Sequence, residues 1–315
     1  MKAYWAAFVA AGLLCAAVWA GGQQPAAPAA GAAKADESSV IKVDATRNNI
    51  LFTVTDKKGR FVTDLVKDDF EIMENRRPQA ILEFAAYSNL PLRMGILIDT
   101  SNSIRDRFRF EQEAATEFVN SVLRAHVDKA MVVGFDTTTQ LASDLVDDPY
   151  KVAQAISTLR PGGGTSLYDA LFFACHDKLG QDQPRHDFRR AIVLLSDGDD
   201  NQSRYTRDQA LEAAITNEVV IYAISTNMTP VESDGDKVLK YFTAQTGGVA
   251  YFPFKAEDMA QSFENIANEL RHQYNISYRP EPLATDGLFH EVQMRVRGRK
   301  DLVIRARSGY YAQKM

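Results

Sequence analysis

The chain has 315 residues, 45% of them hydrophobic, 24% charged and 10% aromatic, which excludes a disordered polymer and suits one or two packed cores. The formal net charge of -5 recommends no nucleic-acid partner.

The N-terminus reads as an export leader. Lys2 is followed by an apolar stretch from about Ala6 to Ala20 that closes as VWA before GG, with Val18 and Ala20 at the small positions a signal peptidase needs. Residues 1–20 are thus expected to be a signal peptide cut after Ala20. The stretch is short for a bilayer span, so no membrane span is expected after cleavage; an uncleaved anchor is the alternative. A lipoprotein is disfavoured because Leu14 precedes Cys15 where such sites want a small residue. Cleavage would leave Cys175 as the single cysteine, so no internal disulfide could form even in an oxidising compartment. The expected location is secreted, periplasmic or in the cell envelope. Residues 21–38, GGQQPAAPAAGAAKADES, have no apolar periodicity and read as a flexible tether.

Residues 39–89 form the next segment. Ile50, Phe52 and Val54 alternate, DKKG offers a turn, and Phe70 and Ile72 resume the period of two, as half-buried antiparallel strands do. The same pattern returns in residues 276–315, at Ile276 and Tyr278, at Val292, Met294 and Val296, and at Val303 before the closing GYYA. Neither set is large enough for a stable sheet alone. A smaller antiparallel β domain assembled from both flanks is the economical reading; two separate β pieces packed on the middle is the rival.

The middle, residues 90–275, changes rhythm. GILI (95–98), MVVGF (131–135), AIVLL (191–195) and VVIYAI (219–224) are continuous apolar runs, as in parallel strands covered on both faces. Helical stripes lie between them: Ile104, Phe108, Ala115, Phe118 and Val122; Leu167, Leu171, Ala174 and Cys175; Met259, Phe263, Ile266 and Leu270. This predicts a doubly wound α/β domain with a mostly parallel sheet and helices on both faces. QLASDLV (140–146) follows the second run so closely that it should pair antiparallel at the sheet edge.

In such sheets ligands gather beyond the carboxyl ends of the central strands, where the winding reverses. Asp99 ends the first run and Asp197, in LLSDGDDN, ends another that should lie beside it. Two carboxylates this close, with Ser101 and Ser103 next to them, would repel unless a cation lay between. Oxygen donors favour Mg2+, or Mn2+ or Ca2+, over zinc, and the histidines at 126, 176, 186, 272 and 290 have no metal-binding spacing. PGGGTSLYDA (161–170) supplies a third loop, whose glycines allow close approach and whose Thr165 adds a hydroxyl before a helix.

DxSxS, a Thr in a Gly-rich loop before a helix, and an Asp in SDG together resemble the metal-ion-dependent adhesion site of von Willebrand factor type A domains. The resemblance covers about 90–275 and implies Asp99, Ser101, Ser103, Thr165 and Asp197 as the metal-site residues. It also implies a binding module rather than an enzyme, with a carboxylate of a protein partner, an Asp or Glu, completing the metal shell. Asn102, Asp199, Asp200 and Asn201 are expected at the partner-binding rim. The flanks, VTDKKGRFVTDLVKDDFEIMEN and ARSGYYA, look like those of secreted bacterial proteins of the acidobacterial VWFA-related subgroup.

Plainer explanations compete. Ser103 opens SIRD and Ser166 opens SLYD, both capping boxes that a helix start would use anyway. DGDDNQSRYTRD places Asp197, Asp199, Asn201 and Asp208 at positions 1, 3, 5 and 12 of a calcium loop, but Gln202 stands where that loop needs glycine and a strand precedes it. Cys175 sits on an apolar stripe, as a buried inert thiol does. A phosphatase of the DxDx[TV] type would need a second acid where Ser101 stands, GGGTS lacks the P-loop lysine, and no G-x-S-x-G elbow occurs. A metal-free envelope scaffold and a metal-assisted hydrolase are the two alternatives carried forward.

Overall fold

The computed structural model describes residues 47–86, 89–105, 107–183, 187–227, 229–255 and 257–314. The leader and the tether expected from the sequence, residues 1–38, lie outside these residues.

The α/β part is organised around strand β5 (Leu92–Asp99), buried along its whole length. Its alternate side chains enter two separate cores, Met94, Ile96 and Ile98 on one face and Leu97 on the other, as a strand covered on both sides must arrange them. On one side β5 pairs in parallel with β6 (Lys129–Phe135), and on the other with β8 (Arg189–Ser196). β8 continues in parallel to β9 (Val219–Ser225) and then to the short β10 (Ala250–Tyr251). β7 (Thr139–Val146) pairs antiparallel with β6 and closes the opposite edge, the place expected for QLASDLV.

Three helices cover each face. The first core takes the apolar sides of α1 (Phe108–Val122), α2 (Pro149–Thr158) and α6 (Glu257–Arg271). The second takes α3 (Leu167–Phe172), α4 (Arg207–Thr216) and α5 (Asp234–Thr246). Helix α3 runs on through a π-helical turn, Phe173–Lys178, that buries Ala174 and Cys175. Burial pushes the Cys175 thiol well above its ordinary pKa, so it packs as a small apolar group.

The flanks combine into two antiparallel four-stranded sheets. One orders β13 (Leu302–Ala306), β1 (Asn48–Asp56), β11 (Tyr274–Tyr278) and β4 (Ile81–Ala85); the other orders β14 (Gly309–Tyr311), β12 (Phe289–Val296), β2 (Phe70–Glu74) and β3 (Arg77–Gln79). Each sheet mixes strands from both ends of the chain, which removes the reading of two separate β pieces. Ile50, Phe52, Val54, Phe70, Ile72, Tyr274, Ile276 and Tyr278 share its core. One sequence-based expectation fails. Val303 is 47% exposed because its partner is Thr55 while Ile304 lies opposite Val54, so Leu302, Ile304 and Ala306 form the inward face of β13.

The sandwich is joined to the α/β part through α6, whose buried Glu269 accepts from Thr53 on β1 at 2.8 Å and from the Arg305 guanidinium on β13.

Candidate metal centre

Helices α1 and α4, which follow β5 and β8, lie on opposite faces of the sheet, so the connections that leave these strands diverge and open a crevice at their carboxyl ends. Asp99, at the end of β5, is fully buried. Burial pushes its carboxyl up to about 6, opposed by the Ser101 N–H and the Ser196 hydroxyl, while the charge of Asp197 adds to the rise. The Ser101 N–H donates to Oδ1 at 2.8 Å and the Ser196 hydroxyl to Oδ2 at 2.8 Å.

A second run of oxygens crosses the crevice. The hydroxyls of Ser101 and Ser103 are hydrogen-bonded at 2.8 Å, and Ser103 donates to Asp197 Oδ2 at 3.1 Å. Asp197 Oδ1 accepts from the Asp199 N–H at 3.1 Å. Two acids and two serines are therefore linked from both strands. A hydroxyl has lone pairs as well as a proton and can turn either toward a neighbour, so these serines can present oxygen to a cation by rotation alone.

The Gly-rich loop is tied to both of the others. Gly162 N–H donates to Thr100 O at 2.6 Å and Asn102 N–H to Gly163 O at 3.3 Å, while the N–H groups of Asn201 and Gln202 both donate to Thr165 O at 3.0 Å. The Thr165 N–H donates to Asn201 Oδ1 at 3.1 Å. Gly163, at φ 84°, has the left-handed backbone that glycine adopts without strain, and a Cβ there would stand 2.7 Å from Thr137 Oγ1. Thr165 itself is buried. Beneath the loops, Asp169 on α3 accepts from the Arg204 and Tyr205 N–H groups at 2.8 and 2.9 Å.

The structure thus brings the Asp99, Asp197 and Gly-rich loops together and joins Asp99, Ser101, Ser103 and Asp197 through side-chain and main-chain bonds. The four residues expected at the rim divide. Asn102, Asp199 and Asn201 are exposed and Asp200 is half-buried; the Asn201 side-chain oxygen accepts from the Thr165 N–H and Asp200 accepts from the Ser203 hydroxyl at 2.6 Å. The capping explanation fails for both serines. Ser103 directs its hydroxyl to Asp197, the residue before α1 is Arg107 with no side-chain cap, and Ser166 precedes α3 without a capping bond.

Two participants escaped the sequence reading. Ser196, the residue before Asp197, anchors Asp99. Glu111, on the inward side of α1, is fully buried, and among the described residues neither carboxylate oxygen has a hydrogen-bond partner. The apolar stripe Phe108, Ala115, Phe118 skips one turn at 111, and this interruption by an acid was the available signal. Among the described residues no group of three or more His, Cys, Asp or Glu side chains gathers at coordination distance, so an ion here would depend on hydroxyl oxygens.

Residues 94–199, which contain all five expected metal-site residues, match the family model of the von Willebrand factor type A domain. The fold is similar to that of proximal thread matrix protein 1 from the mussel byssus, at 16% identity and a TM-score of 0.52, over 63% of this chain and 51% of that one. A structure of the same mussel protein with a zinc-occupied MIDAS motif aligns at 17% identity and a TM-score of 0.51, over 61% and 48% of the two chains. A von Willebrand factor type A structure from Catenulispora acidiphila aligns at 16% identity and a TM-score of 0.49, over 78% and 73%. The chain therefore spans about half the length of the mussel protein. No curated protein matches it by sequence.

Proposed function

We propose that the protein is a divalent-cation-dependent binding module that captures a protein partner by one of the partner's Asp or Glu carboxylates. The observation that carries this reading is the linked set of oxygens from Asp99, Ser101, Ser103 and Asp197 across the sheet's reversal point. Ser101, Ser103 and Thr165 would offer neutral oxygens to the ion, and Asp99 and Asp197 would balance its charge. Few charged donors leave a cation electron-poor, and when bound it would draw an anionic oxygen from outside the chain.

Mg2+ is the ion proposed, with Mn2+ and Ca2+ as alternatives on the same donor chemistry. Zinc belongs among the ions tried, because the mussel protein of like fold holds it in its MIDAS. We assign no catalysis. His126 lies beside Asp147, and His176, His272 and His290 bond to Asp177, Asn268 O and Glu74; the reading calls on no histidine as a base in the crevice. Export through residues 1–20 and a place outside the cytoplasm are part of the proposal, supported by the leader pattern and by flanks like those of the secreted bacterial subgroup. No helix among the described residues is long and apolar enough to cross a membrane.

The test is capture of envelope proteins by the full chain. Capture should be lost in EDTA, restored by Mg2+ or Mn2+, and absent with Asp99→Ala. Capture that persists in chelator contradicts the reading and favours a metal-free scaffold, and phosphate or peptide turnover lost in Asp99→Ala would favour a hydrolase.

A further inference from the structure

Glu111 occupies a position that elementary packing would give to an apolar residue. It lies on the inward side of α1 with Phe108, Ala115, Phe118 and Val119, and the first core closes around it. An ionised carboxylate in such surroundings is strongly disfavoured unless donors or an opposite charge compensate it. Yet both oxygens are buried without a hydrogen-bond partner. The nearest opposite charge, Arg107, acts on it only through space, and its own Nη1 is also buried and unpaired.

Helix geometry does not account for this acid. Glutamates in a first turn are favoured by the exposed N–H groups there, but Glu111 accepts none of them. Its two other electrostatic neighbours are Asp99 and Asp197, the acids of the crevice. Two like charges would ordinarily drive a third away. Their combined effect with burial raises the Glu111 carboxyl to about 8. Glu111 on α1 thus lies within electrostatic reach of acids at two strand ends, and a cation at the crevice would turn these repulsions into attraction.

The group is not close enough to join Asp99 and Asp197 as a three-carboxylate cage, since no such group exists among the described residues. Its reach toward an ion is therefore through water. Oxygen-rich divalent ions, Mg2+ above all, keep several of their waters, whose protons need acceptors, and acids that accept from a metal's bound groups set its affinity and orientation.

Resting on the cation reading above, we propose that Glu111 is a positioning residue of the metal centre, the acceptor beneath the crevice for a water held by the divalent ion. The residue lies outside the DxSxS, Thr and SDG elements, so it adds a sixth position to the site. It also accounts for why a buried stripe carries an acid at all.

The test is calorimetric titration of Mn2+ and Mg2+ into the full chain, alone and as Glu111→Gln and Asp99→Ala, with melting of each metal-free protein alongside. Glu111→Gln should weaken metal binding about 10- to 100-fold while its metal-free melting temperature is unchanged or higher. A merely structural acid would give the opposite pair, unchanged affinity and a lower melting temperature. Binding within about two-fold of the parent overturns the proposal alone. No binding by the parent, or equal binding by Asp99→Ala, overturns the cation reading and the proposal with it. Should Glu111→Gln fail to fold, infrared difference spectra of the parent chain with 13C-labelled glutamate decide. Metal should shift a glutamate carboxylate band, since Glu111 is the one glutamate among the residues assigned to the site; absence of any glutamate band overturns the proposal.

Discussion

Two buried glutamates stand in contrasting surroundings. Glu74, in the β sandwich, accepts from the Tyr278 hydroxyl at 2.8 Å, from the Tyr310 hydroxyl at 3.0 Å and from His290 Nδ1 at 3.0 Å. Glu111, on the inward side of α1, accepts no hydrogen bond among the described residues. Both are almost or wholly removed from water, at 5% and 0% exposure, so desolvation alone does not distinguish them. The donors do. The sandwich surrounds its acid, on β2, with hydroxyls and a ring nitrogen from three strands of the C-terminal flank, β11, β12 and β14, which makes Glu74 a cross-link between the two chain ends. The α/β part surrounds its acid with apolar side chains, and of the charges that act on it through space one is a cation, Arg107, and two are acids, Asp99 and Asp197, an arrangement that leaves room for a charge supplied from outside the chain.

The largest expected effect tests the satisfied member. Glu74→Ala leaves two tyrosine hydroxyls without their acceptor, each such group costing about 1–3 kcal/mol, while His290 Nδ1 keeps Asn75 Nδ2 at 3.0 Å. Denaturant unfolding should therefore show a loss of about 3 kcal/mol or more, the same with and without metal. A loss that disappears on adding Mg2+ would break the comparison.

Next comes the response to metal. At an ion concentration about 100 times the dissociation constant, linkage predicts a gain of about 2.7 kcal/mol. Asp99→Ala should abolish that gain, read as the shift of thermal melting with Mg2+, without unfolding the chain.

The unsatisfied member gives the pH dependence. Asp99 and Glu111 both have folded-state values above the ordinary 3.8 and 4.5, at about 6 and about 8. The folded state thus holds their protons more tightly than the unfolded one. Their contribution is complete below the ordinary values and is lost as the pH rises through about 6 and then about 8. In EDTA, Glu111→Gln should gain on the parent as the pH rises from about 5 to about 8, reaching about 1–3 kcal/mol by the cost of burying an uncompensated polar group. A constant difference over that range would show that Glu111 already has a partner.

The smallest effect refines the crevice itself. Ser196→Ala removes one donor to Asp99 and should weaken Mn2+ binding by about 10-fold, less than the loss of Asp99. An unchanged affinity would reduce Ser196 to a packing residue.

Much of this was legible in the sequence because it follows from period and type. Continuous apolar runs gave the parallel strands, and β7 was placed at the edge by the short connection from β6. Alternation at Ile50, Phe52 and Val54 gave a half-buried strand. Val303 misled because β13 is short and carries Leu302, Val303 and Ile304 in a row, so type alone cannot choose a face; the register against β1 chooses it. At the crevice, spacing identified Asp99, Ser101 and Ser103 as a unit but could not distinguish a helix cap from a cross-strand bond, which depends on the return of β8 beside β5. Glu111 was passed over for a related reason. An acid that breaks an apolar stripe acquires meaning only when the structure shows that no donor meets it.

The most direct measurement is electron paramagnetic resonance of Mn2+ titrated into the full chain and its Asp99→Ala variant. The account predicts one saturable Mn2+ per chain, displaced by Mg2+ and missing from the variant. No saturable Mn2+, or the same binding in Asp99→Ala, would contradict it.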